Sequence, residues 1–122
     1  MTLTHLSLQN FRSYKKIQFD FNPQNTIIIG PNTAGKTNLM EAIILLATGK
    51  GRAENDREAI SFDEEVARIR GNTHDTQLEV VLATGVVQGV TAPLKRYLVN
   101  GVPKRRVDFA AHLSVVSFSP TD

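Results

Sequence analysis

The sequence predicts an α/β fold: a mixed sheet, with antiparallel strands, packed on one buried helix that follows a phosphate-binding loop. Three observations predict it. Gly30 to Thr37 read Gly-Pro-Asn-Thr-Ala-Gly-Lys-Thr, the P-loop pattern G-x-x-x-x-G-K-T. A β-branched run, Thr26-Ile27-Ile28-Ile29, leads into the loop, and a run of helix formers free of Gly and Pro, residues 38–47, leads out of it. The remaining segments are short and strand-like, without the strand–helix alternation of a doubly wound sheet.

The loop pattern carries a chemistry. Its spaced glycines let backbone N–H groups turn inward around phosphate oxygens. Lys36 sets an ammonium against the β- and γ-phosphates, and the Thr37 hydroxyl is placed to ligate Mg²⁺. The helix that follows adds a partial charge of about +0.5 at its N-terminus. The expected nucleotide-binding set is therefore Gly30, Pro31, Asn32, Thr33, Ala34, Gly35, Lys36, Thr37 and Asn38, with ATP and Mg²⁺ as ligands and Thr37 on the metal. The plainer alternative, a glycine-rich turn that binds nothing, does not explain the flanking strand and helix.

The elements follow in order. Residues 3–8 alternate as a first strand with Leu6 and Leu8 on one face. Ile17, Phe19 and Phe21 alternate with polar residues in a second, antiparallel strand. Asn22-Pro23-Gln24-Asn25 is a turn, and residues 26–29 deliver the loop. In the helix, Leu39, Ile43, Leu46 and Ala47 form an apolar stripe that Met40 and Ile44 extend around most of the surface, so it is expected to be buried on several sides. Gly49 suits a left-handed helix cap. Residues 50–56 read as a surface loop, 57–61 as a short helix, 66–70 and 77–83 as strands, and 85–92 as a weaker strand. Asn100-Gly101 after an apolar run is a hairpin signal. Asp108 is placed to cap a short helix through Leu113. Val115 to Phe118 is a last strand, broken by Pro120.

Composition excludes several classes. The 122 residues are 41% hydrophobic and 21% charged, ordinary for a globular domain. No apolar run approaches the roughly 18 residues of a membrane span, and the first residues carry no secretory pattern. The absence of cysteine excludes disulfides and thiolate metal sites and is compatible with the cytoplasm. His5, His74 and His112 lack ligand spacing, and Asp63-Glu64-Glu65 reads as a solvated turn rather than a Mg²⁺ site. The net charge is +2, but Lys95-Arg96 and Lys104-Arg105-Arg106 lie close together. They are either phosphate contacts for nucleic acid or the solvated face of a hairpin. Phe11, Tyr14 and Tyr97 either stack on bases or fill core and hairpin positions.

Several segments resemble one family. Leu8-Gln9-Asn10-Phe11-Arg12-Ser13-Tyr14 is similar to the L-x-N-F-R-x-Y opening of the RecF proteins. Gly35-Lys36-Thr37-Asn38-Leu39-Met40-Glu41-Ala42-Ile43 resembles their extended Walker A segment. Leu46-Ala47-Thr48-Gly49, Val99-Asn100-Gly101 and Phe118-Ser119-Pro120 resemble later landmarks in the same order. The resemblance implies a P-loop NTPase of the ABC/SMC-like head type, with residues 1–122 as an N-terminal lobe ahead of a helical arm and a Walker B lobe. It implies a DNA recombination and repair ATPase that binds single-stranded or gapped duplex DNA, dimerises on ATP and helps load recombinase with other mediator proteins in the cytoplasm. It also makes Asn10 and Arg12 candidate nucleotide contacts. Without it, Arg12 reads equally well as a solvated strand-end cation and Asn10 as a turn residue.

Thr33 stands where that family usually has glycine, and Lys50-Gly51-Arg52-Ala53 replaces its usual segment after Gly49. Neither a Ser-Gly-Gly signature nor an Asp-Glu strand end is present in the sequence, so negligible turnover is expected of this stretch alone. The competing readings are a small-molecule P-loop kinase and another SMC-like or ABC-type ATPase. The kinase requires a parallel βαβ sheet and an Arg-rich lid, and the sequence displays neither.

Overall fold

The structure, a computed structural model, describes residues 3–20, 33–50 and 56–110. Eight strands and two helices order the described chain: β1 His5–Phe11, β2 Tyr14–Asp20, α1 Thr33–Thr48, β3 Val66–Asn72, β4 Gln77–Ala83, β5 Val86–Val87, β6 Val90–Thr91, β7 Lys95–Val99, β8 Val102–Lys104 and α2 Arg106–Ala110. A 3₁₀ turn, Asp56–Ala59, lies between α1 and β3. Six strands form one sheet in the order β2-β1-β3-β4-β7-β8, and β5 and β6 form a separate hairpin.

Every described strand pair is antiparallel. The expected strands at 26–29 and 115–118 lie outside the described residues, as does the Asn22–Asn25 turn.

The alternation of side chains sorts the sheet into two faces. Paired residues share a face, so one row runs Ile17, Leu8, Ile69, Val80, Tyr97 and the next runs Phe19, Leu6, Gly71, Leu78, Val99. Leu6, Leu8, Ile69, Leu78 and Val80 are fully buried. Against them lie Leu39, Ala42, Ile43, Leu45, Leu46 and Ala47 of α1, all buried. The apolar stripe expected of that helix is thus in the core, and Leu45 and Ala42 widen it. Gly71 is the point of close approach: a Cβ there would lie 2.6 Å from Leu46 Cδ1 and 2.8 Å from Leu3 Cδ1.

Several boundaries differ from expectation for local reasons. The first two strands run to Phe11 and from Tyr14, because the connection is a tight two-residue turn rather than a loop. The helix opens at Thr33, inside the loop motif, instead of at residue 38. The residues expected as a short helix at 57–61 form only the 3₁₀ turn. The weak strand at 85–92 is a hairpin turning at Gln88-Gly89, with φ of 51° and 80°. Gln-Gly is not a usual type I′ pair, but the Glu65 carboxylate accepts from the Gln88 N–H at 3.0 Å. Asp108 does not cap α2. It lies inside the helix and accepts from Arg105 Nε at 3.1 Å.

Gly49 closes α1 as expected, with φ of 78° and its N–H on the Leu45 carbonyl at 2.8 Å. Its own carbonyl accepts from the Tyr97 hydroxyl at 2.8 Å. Tyr97 in turn packs on Phe109, which anchors α2 in the core.

Candidate nucleotide-binding site

The described part of the loop motif is its second half. Thr33, Ala34, Gly35, Lys36 and Thr37 form the opening turns of α1, followed by Asn38. The first four N–H groups of an α-helix lack intrahelical acceptors, so this turn presents donors unused by the helix itself and the positive end of the helix dipole. No acidic side chain stands in that turn to compete for them. That is the donor chemistry a polyphosphate requires, and the residues present fit the group. Thr33, where a positive φ would be costly, is the first helical residue. Gly30, Pro31 and Asn32 lie outside the described residues.

Asn10 and Arg12 flank Phe11 at the β1–β2 corner, and Arg12 reaches from there to α1. Both have left-handed backbone, φ 54° and 53°. Asparagine tolerates this better than most residues. Its effect is to shift the strand's phase: Leu6 and Leu8 are buried, then Phe11 rather than residue 10. The Asn10 amide donates to the Val66 carbonyl at 3.2 Å and to Glu64 at 3.4 Å. Arg12 occupies the first central position of the hairpin turn, where a type II′ turn ordinarily has glycine. It is held there from three sides. Its N–H donates to the Ala59 carbonyl at 2.8 Å, its carbonyl accepts from Ser61 Oγ at 2.6 Å, and its side chain grips α1.

That grip is a bidentate ion pair. Arg12 Nε and Nη2 donate to the two carboxylate oxygens of Glu41, each at 2.9 Å, and Nη1 donates to the Glu58 carbonyl at 3.2 Å. The Glu41 side chain is only 3% exposed, that of Arg12 28%. The Glu41 hydrogen bonds raise the Arg12 guanidinium above its ordinary pKa, against the opposing effect of partial burial. Three of its five N–H donors are thereby used, and two remain. Sequence reasoning missed Glu41. It sits in the apolar helix, one turn beyond Thr37, and an acidic residue buried among Leu and Ala needs a cation that only the fold identifies.

The basic residues near the chain's end do not form one cluster. Lys95 pairs with Leu82 and Lys104 with Tyr97 on the helix side of the sheet, and Lys95 Nζ lies 5.8 Å from the Tyr97 ring. Arg96 faces the opposite side. Arg105 pairs with Asp108, and Arg106 reaches the Thr48 carbonyl at 3.5 Å beneath Gly49. Of the aromatics considered for stacking, Phe11 is fully buried, and Tyr14 and Tyr97 pack on the core. Among the described residues no group of His, Cys, Asp and Glu is arranged to hold a metal, and no helix is long and apolar enough to cross a membrane.

A loop motif running into a helix beneath an antiparallel sheet defines an ABC-type P-loop ATPase fold, and the comparisons agree. The family described as AAA domain matches residues 5–106, and the chain belongs to that family. Within it the similarity runs to the N-terminal ATPase lobe of the RecF proteins. The chain is 37% identical over its whole length to the DNA replication and repair protein RecF of Lactobacillus gasseri and 38% identical to that of Streptococcus pneumoniae, covering 32% and 33% of those proteins. Two solved structures of the recombination mediator protein RecF in the RecFOR pathway are also similar. The RecF–ATP structure has a TM-score of 0.75 at 30% identity, covering 98% of this chain and 33% of that one. The RecF–ATPrS structure has a TM-score of 0.68 at 29%, covering 85% and 28%. The chain thus spans about a third of the length of the curated relatives it matches.

Proposed function

We propose that this chain is the nucleotide-binding lobe of a RecF-like recombination and repair ATPase. The observation that carries the reading is the placement of α1. It opens inside the G-x-x-x-x-G-K-T motif, which supports the reading that its first-turn N–H groups, without intrahelical acceptors, serve as phosphate donors. The names of the similar structures, one with ATP and one with ATPrS, support the ligand class. In this reading Gly30 to Asn38 cradle the phosphates of ATP and Thr37 ligates Mg²⁺. Arg12, pre-set by Glu41, turns its two remaining donors toward the nucleotide, and Asn10 shapes the corner that carries it. DNA, single-stranded or gapped, is the macromolecular partner. ATP-driven pairing with a second copy, recombinase loading with other mediator proteins and a cytoplasmic location complete the proposal.

The small-molecule kinase alternative has no support from the described sheet, which contains no parallel pair. Titration calorimetry with Mg-ATP tests the main reading. A binding heat that Lys36→Ala abolishes is expected. Equal heats from the two chains at millimolar nucleotide would remove the phosphate cradle from the proposal.

A further inference from the structure

The sheet face opposite α1 is cationic, and its positive charges come from three different strands, β2, β3 and β7. One row across the ladder reads Lys16, Gln9, Arg68, Val81, Arg96, and the next reads Gln18, Ser7, Arg70, Glu79, Leu98. Lys16, Arg68, Arg70 and Arg96 are exposed. Two carboxylates share the face. Glu79 is buried and bridged by Arg68 at 3.5 Å and Arg70 at 3.1 Å, so its charge is met twice. Asp20 lies at one end, in contact with His5 at 2.6 Å. Lys16 and Arg96 have no ion-pair partner among the described residues. With strands about 4.8 Å apart, Lys16 and Arg96 stand four spacings, or roughly 19 Å, from each other with Arg68 midway.

We propose that this outer face is a docking surface for the sugar–phosphate backbone of DNA. The proposal locates the DNA contact of the function proposed above and rests on that reading for the choice of nucleic acid. Three features select the occupant. The cations are spread along a row instead of converging, so they fit a chain of charges and not a single phosphate. The residues between them, Gln9, Gln18 and Ser7, are neutral hydrogen-bonding side chains of the kind that contact phosphate oxygens. The rows lack an exposed large apolar or aromatic anchor, which a protein interface would need at its centre. Val81 is buried beneath its neighbours and Leu98 is half-buried. The terminal Lys/Arg segment, by contrast, is dispersed over two faces and a helix end, so sequence proximity there does not make a surface.

The test is fluorescence-anisotropy titration of the full chain with duplex and single-stranded oligonucleotides, from 50 to 300 mM salt, in parallel with nucleotide calorimetry. Lys16→Gln combined with Arg96→Gln removes two cations and leaves the Glu79 bridge intact. If both contact phosphate, the slope of log K against log salt becomes shallower by about 1.8 for duplex and about 1.4 for single strands. The nucleotide heat should be unchanged. An unchanged slope in that variant overturns the proposal. So does loss of DNA binding in Lys104→Gln with Arg105→Gln alone, or displacement of DNA by poly-glutamate at equal charge concentration. Lack of DNA binding at 50 mM salt by a chain that still binds ATP overturns the DNA surface while sparing the nucleotide reading. A far-UV spectrum and melting midpoint matching the parent chain show that the variant is folded. If they do not match, Lys16→Arg with Arg96→Lys, which keeps the charges and should keep the slope, decides between charge and fold.

Discussion

Arg12 combines a strained backbone with a demanding side chain. A non-glycine residue at φ near 53° costs about 1 kcal/mol or more. It persists here because the Glu41 carboxylate, a backbone hydrogen bond to Ala59 and the Ser61 hydroxyl all fix it. Removing the side chain leaves Glu41 buried and unpaired, so Arg12→Ala is expected to destabilise the chain by about 3 kcal/mol in urea unfolding. Arg12→Gly removes the same ion pair but relieves the strain and should lose about 1 kcal/mol less. A loss below about 0.5 kcal/mol for Arg12→Ala would show that the pair does not clamp the corner to α1. The Asn10 and Arg12 positions were visible in the N-F-R-x-Y segment. Their left-handed backbone and their partners, Glu41 for Arg12 and Val66 for Asn10, were not, because these lie 29 and 56 positions away in the chain.

Two elements end on left-handed glycines in opposite surroundings. At Gly101 the Asn-Gly turn between β7 and β8 has φ of 52° and 82°, and a Cβ would meet nothing within 4 Å. At Gly49 φ is 78°, but a Cβ would fall 2.6 Å from Arg106 Cγ and 3.2 Å from Tyr97 Cε1. Gly101→Ala should therefore cost only the backbone strain, about 1 kcal/mol. Gly49→Ala should cost more, because it also displaces Arg106 from the end of α1. Thermal or urea unfolding of the pair checks the ordering, and equal losses would mean that the Arg106 contact contributes nothing. Both glycines were legible as punctuation after an apolar run. What surrounds each was not, since Arg106 reaches Gly49 from 57 positions along the chain, a separation given by their numbering.

For the whole molecule, nucleotide and fold are linked. A ligand that binds only the folded chain stabilises it by RT ln(1 + [L]/Kd), about 1.4 kcal/mol at ten times Kd. Mg-ATP should thus raise the melting midpoint in a concentration-dependent way, and Lys36→Ala should show no such rise. An equal rise in both chains would place the stabilising contact elsewhere. The family, the loop motif, the helix after it and most strands were determined by the sequence alone. Each rests on local spacing: two-residue alternation, helix-forming runs, and glycines at turns. Only the tertiary structure decided which charges meet. It split the Lys95–Arg106 stretch between two faces of the sheet, joined Lys16, Arg68, Arg70 and Arg96 from three strands into one surface, and gave buried Glu41 its arginine. Electrostatic interaction depends on distance through space, and strand register sets that distance independently of separation along the chain.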